Sequence, residues 1–215
     1  MTRRKTALAV LAVMLAVYVV MAFGAARYDT FPGDQAMMQA AQEVGWFEPV
    51  AHFFNVAVDN WIIRIGAGLF VVAFLITGKW PLAIAFSGVW FVPVLSWASK
   101  LLVDRPRPEG NFEVHLDPGT TSFPSGHSFD GAMFATLVAL GALRWLPPVQ
   151  ARIVVAGCVV FAALTGFSRF WLGVHWLSDA VGGWLLGVWA AGVAWLVAEY
   201  VVEWRQRARE RTPLA

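Results

Sequence analysis

From Thr6 to Ala26 the chain runs 21 residues without a charge, enough for a helix to cross the ~30 Å hydrocarbon core of a bilayer. In that medium no water satisfies backbone N–H and C=O groups, so a spanning segment must bond internally as a helix or close into a barrel. Runs this long and continuous select the helix. Similar stretches recur at Trp61 to Thr77, Pro81 to Val103, His127 to Trp145, Arg152 to Phe170 and His175 to Val202. The expected fold is therefore all-α, a polytopic membrane protein with six transmembrane helices. A composition of 59% hydrophobic and 14% charged residues, with mean hydropathy +0.62, is too apolar for an ordinary soluble domain.

The first run has a rival reading as a secretory signal peptide, helped by small residues at Gly24, Ala25 and Ala26. It exceeds the roughly 7–15 residues of a signal core, which favours a retained helix. Arg27 to Gly45 is polar, with a turn at Pro32-Gly33, and Trp46 to Asn60 is mixed, as suits a short helix lying in the interface. Six spans put both termini on one side. The segments on that side hold Arg3, Arg4, Lys5, Lys79, Arg144, Arg152, Arg205, Arg207, Arg209 and Arg211, ten of the sixteen basic residues, which predicts that the termini are cytoplasmic. Trp46, Trp61, Trp80, Trp145, Trp171, Trp176 and Trp204 lie near span ends, as an aromatic belt requires. The net charge of +2 is scattered and implies no nucleic-acid partner. A single cysteine, Cys158, excludes an internal disulfide framework. No linker separates two units, so residues 1–215 are expected to form one membrane-embedded domain.

Polar groups inside apolar segments need a reason, because such surroundings penalise them. His175 and Asp179 are four residues apart, one helical turn, so the carboxylate can take the Nδ1 proton and leave Nε2 as a nucleophile. Arg169, six residues before His175, can offer its planar fork of N–H donors to an oxyanion. On the six-span topology this segment shares the outer surface with Lys100 to Pro108, and with Phe123 to His127 at the start of the fourth span. Lys100, Arg107 and Arg169 supply three cations. Ser125 and Gly126 sit where a helix begins, so a hydroxyl and free backbone N–H groups can hold an anion. That combination suits phosphoryl transfer, where catalysis is mostly positioning and preorganised positive charge.

The strings Lys100-x6-Arg107-Pro108, Pro124-Ser125-Gly126-His127 and Ser168-Arg169-x5-His175-x3-Asp179 together resemble the three signatures of the type 2 phosphatidic acid phosphatase superfamily. The resemblance covers about residues 60–200 and implies a helical core like that of bacterial acid phosphatases and vanadium haloperoxidases. It further implies that His175 attacks phosphorus to give a phosphohistidine, that His127 protonates the leaving oxygen, and that Lys100, Arg107, Ser125, Gly126 and Arg169 bind the phosphate. The implied protein is a bacterial inner-membrane enzyme with its site on the outer face. Its substrate would be a lipid phosphate or diphosphate, undecaprenyl pyrophosphate first, with phosphatidylglycerophosphate, phosphatidic acid or a phosphotransfer reaction as alternatives. A lipid transporter or binding protein that holds phosphate without chemistry is the rival from another class. A nucleophile with an orienting carboxylate argues against it.

No metal or other cofactor is expected, since side-chain cations already stand where a metal would act and no His-Glu-x-x-His string occurs. His52 and His115 lack any supporting context and are expected to be interfacial or loop residues. Arg64 is expected to snorkel from a span end. Asp104 and Arg105 are expected to be solvated loop charges, Arg105 with a possible reach to a second phosphate. Asp130 is open between orienting His127 and pairing with an arginine, and residues 27–60 between a lid and none.

Overall fold

The computed structural model describes residues 3–109 and 120–211; His115 lies outside them. Among the described residues the regular structure is helical: α1 (Arg3–Ala25), α2 (Asp34–Gln42), α3 (Glu48–Ala57), α4 (Asn60–Ile76), α5 (Trp80–Ser87), α6 (Val92–Val103), α7 (Gly126–Trp145), α8 (Pro148–Trp171) and α9 (Leu177–Arg211). Short 3-10 turns precede α3, at Gly45–Phe47, and join α5 to α6, at Gly88–Phe91. The helix breaks have local causes. Positive φ at Gly33 (92°) and Gly78 (72°) turns the chain before α2 and after α4, and prolines occupy the first turns of α3, α5, α6 and α8.

Four stretches are long and apolar enough to cross a membrane: Arg4–Ala25, Trp80–Val103, Pro148–Trp171 and Leu177–Glu210. A fifth arises if Gly45–Ala57 and Asn60–Ile76, bent by 56°, count as one broken span. The segment expected to lie in the interface meets α4 at that bend, and the expected third span is α5 and α6 joined by a tighter turn. α7 does not reach the same apolarity because its first turns carry His127, Ser128 and Asp130 and its last carries Arg144. Those polar groups are sheltered by protein, since α7 packs chiefly on α9 and α8 and Ser128 and Asp130 are buried. The outward faces of the other long helices expose Val20, Leu69, Ile76, Leu102 and Ile153. An apolar belt of that extent is stable against lipid and not against water.

The α7–α9 pair is the axis of the core. A Cβ at Gly183 would lie 2.6 Å from the carbonyl oxygen of Ser125, and one at Gly187 would lie 2.6 Å from that of Phe129. Only glycine permits this backbone approach, the small-x3-small spacing that brings membrane helices together. Around the pair, Phe86, Val89, Phe123, Phe129, Met133 and Leu137 fill the main cluster. Tyr18 joins α1 to it by stacking on Phe123 and donating a 2.8 Å hydrogen bond to Ser99. A second cluster, Met38, Phe47, Phe170, Trp171 and Val174, seats α2 and the start of α3 on the end of α8.

The two ends of the molecule differ. Arg4 pairs with Glu203 at 3.3 Å, so the start of α1 meets the distal part of α9, and Arg205 lies over the Trp80 ring at 4.7 Å. The starts of α7 and α9, the ends of α6 and α8, and the bend between α3 and α4 gather at the opposite end.

A candidate active site

At that opposite end three separated stretches are stitched together through backbone groups. Lys100 donates to the carbonyl of Thr121 at 2.5 Å, and the Ser122 N–H donates to the carbonyl of Arg105 at 2.8 Å. The Pro106 carbonyl accepts from the Ser122 hydroxyl at 3.0 Å and from the Trp176 indole at 3.1 Å. The Ser125 N–H donates to the carbonyl of Asp179 at 3.0 Å. These bonds consume donors and acceptors that would otherwise be orphaned at helix ends. They hold the 100–108, 122–127 and 169–179 segments in one register.

His175 is 2% exposed and sits in the turn between α8 and α9, which Gly173 opens with φ 69°. Its Nε2 lies 3.1 Å from Nη1 of Arg107, which also donates to the carbonyl of Val174 at 2.7 Å. Arginine has donors only, so Nε2 must be the acceptor and the ring proton belongs on Nδ1. That nitrogen faces Asp179 Oδ2 at 3.5 Å. The two groups expected to pair thus lie side by side, but the geometry makes no hydrogen bond between them and Nδ1 has no hydrogen-bond partner among the described residues. α9 begins at Leu177, so His175 precedes the helix, and Asp179 in its first turn accepts the N–H of Trp176 at 2.9 Å. The carboxylate caps the helix and faces the imidazole with the same oxygen. Burial holds the His175 imidazole well below its usual pKa, and the charges of Arg107, Arg169 and Lys100 push the same way.

His127 is the second residue of α7, and its Nε2 is buried without a hydrogen-bond partner among the described residues. Ser125 caps α7, its hydroxyl oxygen accepting from the Ser128 N–H at 3.5 Å, which leaves its own proton to donate. Gly126 opens the helix, and a Cβ there would lie 3.2 Å from Nδ2 of Asn60. Arg169 is buried at the end of α8 and donates to Asn55 Oδ1 on α3. Arg107 is half-buried, and desolvation lowers its pKa. All eight residues singled out by pattern thus lie at one end of the bundle.

Two expectations fail. Arg105 is not a solvated loop charge: it is 1% exposed, with Nη1 on Asp179 Oδ1 at 2.5 Å and Nη2 on Asp34 Oδ2 at 2.8 Å. Buried between the two carboxylates, it presents no open fork to a second phosphate. Arg64 does not snorkel either; it is buried on α4 and bonds Asp130 Oδ2 at 2.9 Å. That contact settles Asp130 as an arginine-paired carboxylate. Pattern reasoning also missed Asp34, Asn55, Asn60 and Ser122. Only Ser122 carried a signal, lying beside the Pro-Ser-Gly-His string.

The donor set is cationic and imidazole, the complement of an oxyanion rather than of a metal ion. Among the described residues no group of three or more His, Cys, Asp or Glu converges.

A profile of the PAP2 superfamily matches residues 80–203. Over 131 residues the chain is 34% identical to phosphatidylglycerophosphatase B of Bacillus subtilis (strain 168), covering 59% of this chain and 61% of that protein. Over 100 residues it is 36% identical to undecaprenyl-diphosphatase of Sulfolobus acidocaldarius, covering 45% of each chain. The matches thus span about half to three-fifths of these relatives. The fold is also that of a crystal structure described as the first transmembrane PAP2 type phosphatidylglycerolphosphate phosphatase from Bacillus subtilis. TM-score is 0.74 and identity 22%, over 89% of this chain and 96% of that one. With several helices long and apolar enough to span, the molecule is a multi-pass membrane protein, and it belongs to the PAP2 superfamily.

Proposed function

We propose that this chain hydrolyses the terminal phosphoryl group of a membrane lipid through a phosphohistidine on His175, without a metal ion. The observation that carries the reading is the 3.1 Å approach of Arg107 Nη1 to His175 Nε2. It keeps a lone pair on the nitrogen that must attack and sets a cation beside it. When substrate arrives, Arg107, Lys100 and Arg169 turn their donors to the three equatorial oxygens, while Ser125 and the first turn of α7 add a hydroxyl and backbone N–H groups. Nε2 forms a bond to phosphorus as the bond to the lipid oxygen breaks, and His127, whose imidazolium is favoured once the anionic phosphate lies beside it, gives that oxygen its proton. His127, now neutral, takes a proton from water as it attacks the phosphohistidine, which releases phosphate and restores both rings.

The further reading is of six crossings, α4 and α7 among them and α3 lying at the interface, in the cell membrane of a bacterium. The termini are then cytoplasmic and the site lies at the outer headgroup level, where it meets a lipid phosphate whose tail stays in the bilayer. The whole chain acts as one phosphatase domain. Undecaprenyl diphosphate is the first candidate substrate, supported by the Sulfolobus relative; phosphatidylglycerophosphate is the second, supported by the Bacillus relative.

The deciding experiment is phosphate release from both lipids by detergent-solubilised protein in EDTA, beside a His175→Ala variant. The wild type should release phosphate from at least one lipid, and the variant should lose about 10⁴-fold or more, as removal of a nucleophile does. Activity that vanishes in EDTA and returns with magnesium, or that survives His175→Ala, would overturn the mechanism. Phosphate-lipid binding without turnover would favour the transporter reading.

A further inference from the structure

We propose that Asp34, acting through Arg105, is a positioning residue for the His175 nucleophile, so that the α2 segment, outside the matched stretch 80–203, is part of the site and not a lid over it. The inference rests on the phosphatase reading above.

The left-handed turn at Gly33 sends the first residue of α2 inward, and Asp34 is buried. Its Oδ2 accepts from Arg105 Nη2 at 2.8 Å, from the Ser178 hydroxyl at 2.6 Å and from the Phe31 N–H at 3.1 Å. Its Oδ1 accepts from the Ser178 N–H at 3.1 Å. Arg105 spends its remaining donors on Asp179 Oδ1 at 2.5 Å, Ser178 Oγ at 2.8 Å and the Asp29 carbonyl at 3.0 Å. The guanidinium lies near the Phe31 and Trp176 rings, 5.2 and 5.7 Å from their centroids.

One arginine thus stands between two carboxylates, one of which faces the nucleophile. Asp34 shares the field of that cation. If it lost its charge, Arg105 would bear on Asp179 alone, and Asp179 would become a poorer acceptor for the Nδ1 proton that must stay on His175 during attack. Asp34 also grips the N–H of Ser178, in the first turn of α9 just after His175, so it fixes where the imidazole points. Neither effect reaches Lys100, Arg107 or Arg169, which hold the phosphate. Fully buried ion networks seldom add net stability over apolar packing, so one placed against the orienting carboxylate is better explained by function.

The test compares wild type, Asp34→Asn, Arg105→Lys and Glu43→Gln in detergent, measuring kcat, KM and thermal unfolding with a lipid that the wild type hydrolyses. Asp34→Asn keeps the shape and loses the charge. Arg105→Lys keeps the charge and loses the fork that bridges both carboxylates. Both should remain folded and lower kcat about ten- to hundredfold with KM nearly unchanged. Glu43→Gln, which removes a carboxylate from the end of the same helix, should match wild type. Unchanged kcat in both Asp34→Asn and Arg105→Lys, or a loss confined to KM, overturns the positioning role while leaving the phosphatase reading intact. A wild type that releases no phosphate from any lipid overturns both.

Discussion

His175 combines burial with three neighbouring cations, and each of these disfavours the imidazolium. The imidazole therefore stays neutral, its Nε2 unprotonated and accepting from Arg107, at pH values below the ordinary imidazole pKa of about 6.5. For the free enzyme this sets the sign of the acid limb. Since kcat/KM reports ionisations of the free enzyme, its decline attributable to His175 should begin below the normal histidine range. A profile that falls with a midpoint near 6.5 and disappears in His175→Ala residual activity would contradict the buried, cation-flanked environment. The same shift links to stability. Between the depressed folded pKa and the unfolded one the unfolded chain binds more protons, so stability rises with pH through that window and is lost as pH falls. The juxtaposition of His175 and Asp179 was legible in the sequence because the two are only four positions apart. Arg105 was not legible, because its burial depends on a carboxylate 71 residues upstream, and an arginine in a Pro-rich loop looks solvated until that partner is in place.

Among the helices, the α7–α9 contact matters most to the site, because Ser125 caps one and Asp179 opens the other. Gly183 and Gly187 set its spacing, and a methyl group at Gly187 would press on the Phe129 carbonyl, backbone that cannot swing aside. Gly187→Ala should therefore cost about 1–3 kcal/mol of stability and reduce activity by displacing the Ser125–His127 turn from Asp179. Gly157→Ala on α8, where a Cβ meets nothing within 4 Å, should be neutral or slightly stabilising, since alanine is the better helix former. Thermal unfolding of the two variants in one detergent checks the contrast, and equal melting temperatures would mean the helices are not in contact as described. Long helices such as α1, α8 and α9 were readable from apolar run length, a local property. α2 was not, because Asp34–Gln42 is polar in composition and owes its place to Met38 and Ala41 packing under Phe47 and Trp171. The boundary between α3 and α4 was legible as a change of composition near Asn60, and the chain turns there by 56°.

The molecule as a whole is polarised. At one end Lys100, Arg105, Arg107 and Arg169 are drawn inward and engaged with carbonyls, carboxylates or an asparagine. At the other, Lys79, Arg205 and Arg209 stand exposed around Trp80 and Trp145. α9, at 35 residues about 52 Å long, outreaches the ~30 Å hydrocarbon core and carries its arginines beyond it. Exposed cations are what a cytoplasmic boundary selects, and the proposed phosphate site accounts for the inward ones, so under that proposal the two charge sets belong to opposite faces. In a Cys158→Ala background, Glu109→Cys at the site end should react with a membrane-impermeant maleimide on intact bacterial cells. Arg209→Cys should react only after the cells are opened. The reverse labelling would turn the molecule over and put its phosphate site on the inner leaflet. Lipid phosphates delivered outside would then be out of reach, even with every distance around His175 unchanged.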